Sequence, residues 1–280
     1  MSSELSVAIA QMNSVDDLDS NLAKIEKLIF KIFEVSDPRM IVFPENCLYM
    51  RILEGEVVQG LELSHRCFSV LSKLAEKYST YLHLGSVPLY IEGNLYNSSV
   101  LISSNGDVKA SYQKCHLFDI QLEGGRLIRE SDVFRHGDRP EVFSLDNWDI
   151  GQTICYDVRF AELFSHYANL SVDIIVVPAA FLVQTGGAHW EILLRARAIE
   201  SQVYILASAQ GGIHKSAKGV SRETYGHSMI IDPWGQVVAS VSDLNEGFAV
   251  ATLSKSKIES IRRQIPMKNH RRFFVKNSAS

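Results

Sequence analysis

Short, almost purely apolar stretches alternate along the chain with longer ones in which apolar residues recur every three or four positions. Residues 5–11 (LSVAIAQ) alternate apolar and small side chains, the period-two pattern of a strand. Between Asp16 and Val35, Leu18, Leu22, Ile25, Leu28, Ile29, Ile32 and Phe33 form a helical stripe, with Asp16 or Asp17 available as N-cap. MIVF at 40–43 predicts a short, fully apolar strand that Pro44 stops. A helix is expected over about 64–78, then strands over 81–87 and 95–103, and Asn105-Gly106 marks a tight hairpin into a strand over 107–113.

The second half repeats the mixture. DIGQTIC (149–155) and DIIVVP (173–178) read as strands, with a helix over about 158–168 between them. A helix over 187–201 and a strand over 203–209 follow. A hairpin then turns at Pro233-Trp234-Gly235, and FAVATL (248–253) precedes a basic helix over roughly 255–263. Strands alternate with helices, yet several strand pairs are hairpins, so the expected fold is α/β with mixed sheets flanked by helices. Ten or more strands are enough for two sheets packed face to face. No linker or repeat interrupts the pattern, which predicts one domain over 1–272 and a C-terminal tail over 273–280. The glycine-rich GGIHKSAKG (211–219) does not match G-x-x-x-x-G-K-[ST] and is read as a mobile loop.

The helix over 187–201 stands apart. Trp190, Ile192, Leu193, Leu194, Ala196, Ala198 and Ile199 wrap around more than one of its faces, so it needs two things to pack against. One is its own sheet; the other is expected to be a second copy of the chain, giving a homodimer or higher homo-oligomer, with Leu194 taken as an outward position.

Composition narrows the function. With 28 Lys and Arg against 32 Asp and Glu the formal net charge is −4, the wrong balance for a nucleic-acid binder. A mean hydropathy of +0.01 and 46% hydrophobic residues exclude a largely disordered chain. No apolar run reaches the ~18 residues of a membrane span. The start, MSSELSVAIAQ, lacks a basic segment and a long apolar core, so a cytoplasmic location is expected. Cysteines stand at 47, 67, 115 and 155 without a C-x-x-C pair, and the nine histidines form no zinc-spaced cluster. Reduced thiols and no metal are the expectation.

Candidate chemistry sits where apolar strands end. MIVF-Pro44 is followed by Glu45, KASYQ by Lys114, and DIGQTI by Cys155-Tyr156-Asp157. In α/β sheets, reactive groups gather beyond the carboxyl ends of the strands. A cysteine attacks only as thiolate and needs a base or a positive field; no histidine is placed by sequence to serve. A glutamate can take the thiol proton and return it to a departing amine, and a lysine can lower the thiol pKa and stabilise an oxyanion. Taken singly, Cys155 reads as a buried apolar residue, Lys114 as a solvated charge and Glu45 as a loop cap.

Taken together, FPEN (43–46), SYQKCHLFD (111–119), GQTICYDVRFAEL (151–163), the segment 185–210 and YGHSMIIDPWG (225–235) resemble the nitrilase superfamily, the carbon–nitrogen hydrolases. The resemblance runs from about residue 5 to 272. It implies a four-layer α-β-β-α sandwich and a Glu-Lys-Cys triad at Glu45, Lys114 and Cys155, needing no metal or organic cofactor. It also implies a second glutamate between lysine and cysteine, matched by Glu130, and an oxyanion donor at the backbone N–H of Tyr156.

Within the superfamily the chain looks most like the amidase branch that acts on deaminated glutathione; the ω-amidase branch, which acts on α-ketoglutaramate, is the alternative. Nitrilase, N-carbamoyl hydrolase and non-catalytic scaffold readings are weaker. The loops 118–129 and 211–223 depart from the branch pattern and bear on which small amide is taken. For substrate binding, Arg159 is the candidate partner of a carboxylate, with an ion pair to Asp157 or Glu162 as the equal alternative; Phe181 and Thr185 match the family's pocket wall. His189 reads as an interface residue rather than a ligand, and His270-Arg271-Arg272 as a solvated or subunit-contacting basic patch.

Overall fold

Strands that are apolar on both faces need cover on both, and that requirement sets the architecture. The structure, a computed structural model, describes residues 3–53, 55–121, 127–216 and 218–272. In chain order the first half comprises β1 (Glu4–Gln11), α1 (Leu18–Phe33), β2 (Met40–Val42), α2 (Arg66–Tyr78), β3 (Tyr81–Ile91), β4 (Asn94–Ile102), β5 (Val108–Gln113), β6 (Asp119–Gln121) and β7 (Leu127–Arg129). Then come β8 (Val142–Leu145), β9 (Trp148–Gln152), a 3-10 turn (Cys155–Arg159), α3 (Ala161–Leu170), β10 (Ile174–Val176) and α4 (Val183–Ser201). The chain closes with β11 (Tyr204–Ala207), β12 (Gly211–Lys215), β13 (Ser221–Tyr225), β14 (Met229–Ile231), β15 (Val237–Ser240), β16 (Gly247–Ser254), α5 (Lys255–Gln264) and α6 (Met267–His270).

Two six-stranded sheets result, ordered β16-β1-β2-β3-β4-β5 and β15-β14-β11-β10-β9-β8. Each has a parallel centre (β1-β2-β3 and β11-β10-β9) with antiparallel strands on both sides. The strand period of two divides each central strand between two cores. In β1, Leu5, Val7 and Ile9 face the other sheet, whereas Ala8 and Ala10 face the helix layer. In β10, Ile174 and Val176 face inward and Ile175 faces the outer helices. Three apolar layers are buried: α1 and α2 on the first sheet, sheet on sheet, and α3 and α4 on the second. The fold is the α-β-β-α sandwich.

Local chemistry sets the element ends. Asp17 caps α1, its carboxylate accepting from Ser20 N at 2.7 Å. Gly106, at φ 84°, turns the chain between β4 and β5 as the Asn-Gly pair predicts.

Three expectations are corrected. The helix expected over 158–168 is instead a 3-10 turn over Cys155–Arg159 followed by α3, because Phe160 is extended and breaks the run. The segment 211–219 is not a free loop: β12 pairs antiparallel with β13, and buried His214 donates from Nδ1 to Ser14 O and pairs through Nε2 with the Thr224 hydroxyl. Leu194 is not outward; it lies with Trp190 and Ala198 against the second sheet. Of the basic patch, Arg271 is tied down, its Nη2 donating to Glu200 O at 2.8 Å at the end of α4. The expected tail 273–280 and the centre of the loop 118–129 lie outside the described residues. Among the described residues, no helix is long and apolar enough to cross a membrane.

Candidate active site

Four side chains meet where the carboxyl ends of the two parallel centres come together. Glu45 follows β2, Lys114 follows β5, Glu130 follows β7, and Cys155 opens the turn after β9. Close backbone approach brings them together. Gly85 in β3 lies so near the exit of β2 and Pro178 that a Cβ there would come within 2.2 Å of Phe43 O and 2.4 Å of Pro178 Cβ. Pro178 O in turn accepts from Cys155 N at 2.8 Å. From the end of β11, Gln210 Nε2 donates to Glu45 O at 2.9 Å, fixing one sheet's glutamate from the other sheet.

Lys114 is the electrostatic centre. Its Nζ donates to Glu45 Oε1 at 2.8 Å and to Glu130 Oε2 at 2.8 Å, and all three side chains are largely shielded from water. Burial opposes the charge on Lys114, but the Glu130 and Glu45 carboxylates overcome it and hold its pKa well above the usual value. Asn97 in β4 braces the pair from the other side: its Nδ2 donates to Glu45 Oε1 at 3.0 Å and to Glu130 Oε1 at 2.7 Å. Phe118 N completes the cradle of Glu130 at 2.7 Å.

Cys155 sits at φ 49°, in the left-handed region, on a sharp strand-to-turn corner. Such a conformation in a non-glycine residue stores on the order of 1–3 kcal/mol and recurs at functional corners. Glu45 is the charged group that acts on its thiol together with Lys114. Burial pushes the thiol pKa well above the ordinary value and the Glu45 charge adds to that; Lys114 pulls it down without compensating. The lysine therefore does not make a resting thiolate. Burial also pushes the thiols of Cys47, Cys67 and Cys115 up, to about 12, 11 and 11.

Asp157 locks the corner to the lysine segment. Fully buried, it accepts from Ile154 N at 2.8 Å and Tyr112 Oη at 2.8 Å through one oxygen. Through the other it accepts from His116 N at 3.0 Å and His116 Nδ1 at 2.7 Å. The residue before Cys155 and the second residue after Lys114 thus hang on one carboxylate.

The cluster forms one wall of an open cleft. Tyr156, Arg159, Phe181 and Thr185 all line it. Arg159 pairs with neither Asp157 nor Glu162 among the described residues; its guanidinium lies over the Phe181 ring at 5.3 Å and the Tyr156 ring at 5.9 Å, and contacts His189 Nδ1 at 3.2 Å. His189 is thus exposed beside the cleft. Sequence reasoning missed Arg51, Arg222, Asn97 and Asp157. Asp157 was within reach, as the third residue of Cys-Tyr-Asp; the other three are brought in only by strand pairing and loop packing.

Comparison with known proteins decides the family. The carbon–nitrogen hydrolase family model matches residues 6–263. The chain belongs to the carbon–nitrogen hydrolases. Deaminated glutathione amidase of Synechocystis is 34% identical to this hydrolase over 271 residues, covering 95% of the chain and 97% of the relative. The Yersinia enterocolitica protein of the same name is 36% identical over 279 residues, with 95% and 93% covered. Among solved structures, Saccharomyces cerevisiae Nit3, a member of branch 10 of the nitrilase superfamily, superposes with a TM-score of 0.82 at 28% identity, covering 96% of this chain and 97% of that one. The Caenorhabditis elegans NitFhit protein gives 0.83 at 32% identity, covering 96% of this chain and 65% of that one. This hydrolase shares their fold and is an enzyme of carbon–nitrogen bond hydrolysis.

Proposed function

We propose that this hydrolase is an amidase that cleaves the amide of deaminated glutathione through a thioester on Cys155. One observation carries the chemistry: a buried carboxylate, Glu45, that accepts from the ammonium of Lys114 and acts electrostatically on the thiol of Cys155, raising its pKa. Glu45 takes the thiol proton as Sγ attacks the amide carbon. The oxyanion is held by Lys114 Nζ, which carries three N–H groups for two carboxylate partners, and by the backbone N–H of Tyr156. Glu45 then protonates the amide nitrogen, the C–N bond breaks, and the amine departs. Water enters, Glu45 takes one of its protons, and the oxygen attacks the thioester. The C–S bond breaks, the acid leaves, and the proton returns to sulfur. Glu130, bonded to Lys114, Asn97 and Phe118 N, holds the lysine in place.

The substrate reading rests on the relatives named above and on Arg159. A guanidinium over the Phe181 ring at the cleft wall can take the α-keto acid carboxylate in a fork. α-Ketoglutaramate offers the same acyl end, so the test is kcat/KM for both amides on one preparation. Deaminated glutathione is expected to be preferred; a preference for α-ketoglutaramate above about tenfold, ~1.4 kcal/mol, moves the enzyme to ω-amidase. Arg159→Lys is expected to weaken both alike.

The working assembly is a homodimer built on the outer face of α4. Ile192 is 70% exposed, Ile199 49% and Trp234 52%, and Arg195 Nε ties the Trp234 turn to the helix through Gly235 O at 2.8 Å. A cytoplasmic location fits the four free cysteines.

A further inference from the structure

Asn97 lies inside the catalytic cluster, yet no bond made or broken in the reaction involves it. It sits in β4, 1% exposed, where a polar side chain is costly unless its groups are paired. Its backbone carbonyl accepts from Lys114 N at 3.0 Å, and its Nδ2 donates to Glu45 Oε1 and Glu130 Oε1. One residue thus holds the lysine by its main chain and both glutamates by its side chain. Acceptors at 3.0 and 2.7 Å fix the orientation of the amide, because only its NH2 group can face two carboxylates. Among the described residues its Oδ1 is then buried with no hydrogen-bond partner. An unpaired buried acceptor opposes folding; what the amide supplies in return is two N–H groups aimed at two carboxylates. Those carboxylates are not treated alike. Glu130 accepts at both oxygens, Oε1 from Asn97 and Lys114, Oε2 from Lys114 and Phe118 N. Glu45 accepts at one: Lys114 Nζ at 2.8 Å and Asn97 Nδ2 at 3.0 Å both donate to Oε1, and no hydrogen bond among the described residues reaches Oε2.

We infer that Asn97 is a positioning residue that, with Lys114, fills Glu45 Oε1 and so assigns proton transfer to Glu45 Oε2. The inference rests on the reading of Glu45 as the base for Cys155 and is independent of which amide is the substrate. An oxygen that already accepts two N–H bonds takes a proton only if a donor turns away, since the new O–H would face two other donors. Oε2 takes the proton without that loss: Oε1 becomes the carbonyl oxygen of the acid and still accepts from Lys114 and Asn97. As the S–H bond breaks, its electron pair stays on sulfur and forms the S–C bond, and the proton lands on Oε2. The same oxygen then gives that proton to the departing nitrogen, and the hydrogen-bond frame stays as it stands in the resting site. A preformed frame needs no reorganisation at the moment of reaction, which is where its rate advantage lies. Glu130, filled at both oxygens, is the fixed end to which Asn97 ties the base. An amide suits the place because it is a neutral double donor: an aspartate there would set a third carboxylate against two that share one ammonium.

The experiment is a double-mutant cycle of Asn97→Ala and Glu45→Gln, read by steady-state kinetics and by the rate at which iodoacetamide alkylates Cys155. Alkylation reads loss of the thiol proton with no acyl substrate and no leaving group present. Asn97→Ala is expected to lower kcat/KM by about 30-fold or more, carried by kcat, because Asn97 acts on the reaction only through the base. It is expected to slow alkylation in the wild-type background and to change it by less than about threefold in the Glu45→Gln background. Effects that multiply in the pair, or an Asn97→Ala enzyme with the wild-type kcat, overturn the inference while leaving Glu45 as the base. Full turnover by Glu45→Gln shows instead that the base reading fails, and the inference with it. A crystal structure of Glu45→Gln needs no change at Asn97 and so stands even if Asn97→Ala fails to fold. The introduced carboxamide is expected to place its oxygen within hydrogen-bond distance of both Lys114 Nζ and Asn97 Nδ2; a carboxamide turned away from Asn97 overturns the inference.

Discussion

Replacing Asp157 by asparagine keeps the volume but removes a charge and turns one acceptor into a donor. The four hydrogen bonds divide evenly between the two oxygens. If the new amide nitrogen faces Tyr112 and Ile154, the phenol can rotate to accept, but Ile154 N–H is left facing another donor. If it faces His116, the imidazole can change tautomer, but His116 N–H is orphaned. Either way one buried backbone donor loses its partner, at about 1–3 kcal/mol, and the surviving bonds lose their charge assistance, about another 1 kcal/mol. The expected destabilisation is about 2–4 kcal/mol, a large part of a typical folding stability. Because the carboxylate fixes the residue before Cys155 against the segment after Lys114, turnover suffers too: a displacement near 1 Å is worth about 10²-fold. Urea unfolding followed by tryptophan fluorescence reads the first effect, and kcat on the same preparation reads the second. A destabilisation below about 0.5 kcal/mol with unchanged kcat would refute the claim that Asp157 joins the two halves of the site.

Gly85→Ala is expected to cost several kcal/mol in stability and most of the activity, since its Cβ would meet the backbone of Phe43 and the ring of Pro178 rather than a flexible side chain; a stable, active variant in thermal melts and assays would show that the sheet ends can part without moving Glu45. Ile192→Asp is expected to convert a dimer to a 31.4 kDa monomer in sedimentation, and an unchanged assembly would place the interface elsewhere. Burial holds the folded pKa of both His83 and His214 at about 4, against 6.5 when unfolded. The unfolded chain therefore takes up protons first as pH falls. Stability is full above pH 6.5 and is lost progressively down to about pH 4, by roughly 3 kcal/mol per histidine. Urea midpoints that stay flat across that window would contradict their burial as neutral rings.

The catalytic candidates were legible because each stands at a punctuation mark: Pro44 ends one apolar run before Glu45, and the apolar strand preceding Cys155 gives way to polar Tyr156-Asp157. What holds them was not. Asn97 sits in the middle of β4, where an inward polar residue looks like any other, and only its register beside β5 brings it between two glutamates. Arg51 and Arg222 meet through loop packing, which leaves no periodic signal. The helix α4 illustrates a different limit. Apolar residues on several sides give a pattern no phase, so Leu194 was as plausible outside as Ile192; the contact with the second sheet chose Trp190, Leu194 and Ala198. The hairpin β12–β13 looks like a loop in the sequence because its glycines weaken strand propensity, while the long-range anchor at His214 to Ser14 is invisible in a local window.

The central claim is that Cys155 carries the acyl group, and mass spectrometry of the acid-quenched enzyme during turnover tests it most directly. Deaminated glutathione and α-ketoglutaramate deliver the same keto-acid acyl group, so the measurement does not depend on which is preferred. The account predicts that the peptide containing Cys155 gains the mass of that acyl group, that the adduct decays as substrate is exhausted, and that Cys155→Ala folds normally with neither adduct nor turnover. An acyl group on another residue, or a Cys155→Ala enzyme that still hydrolyses the amide, would contradict it.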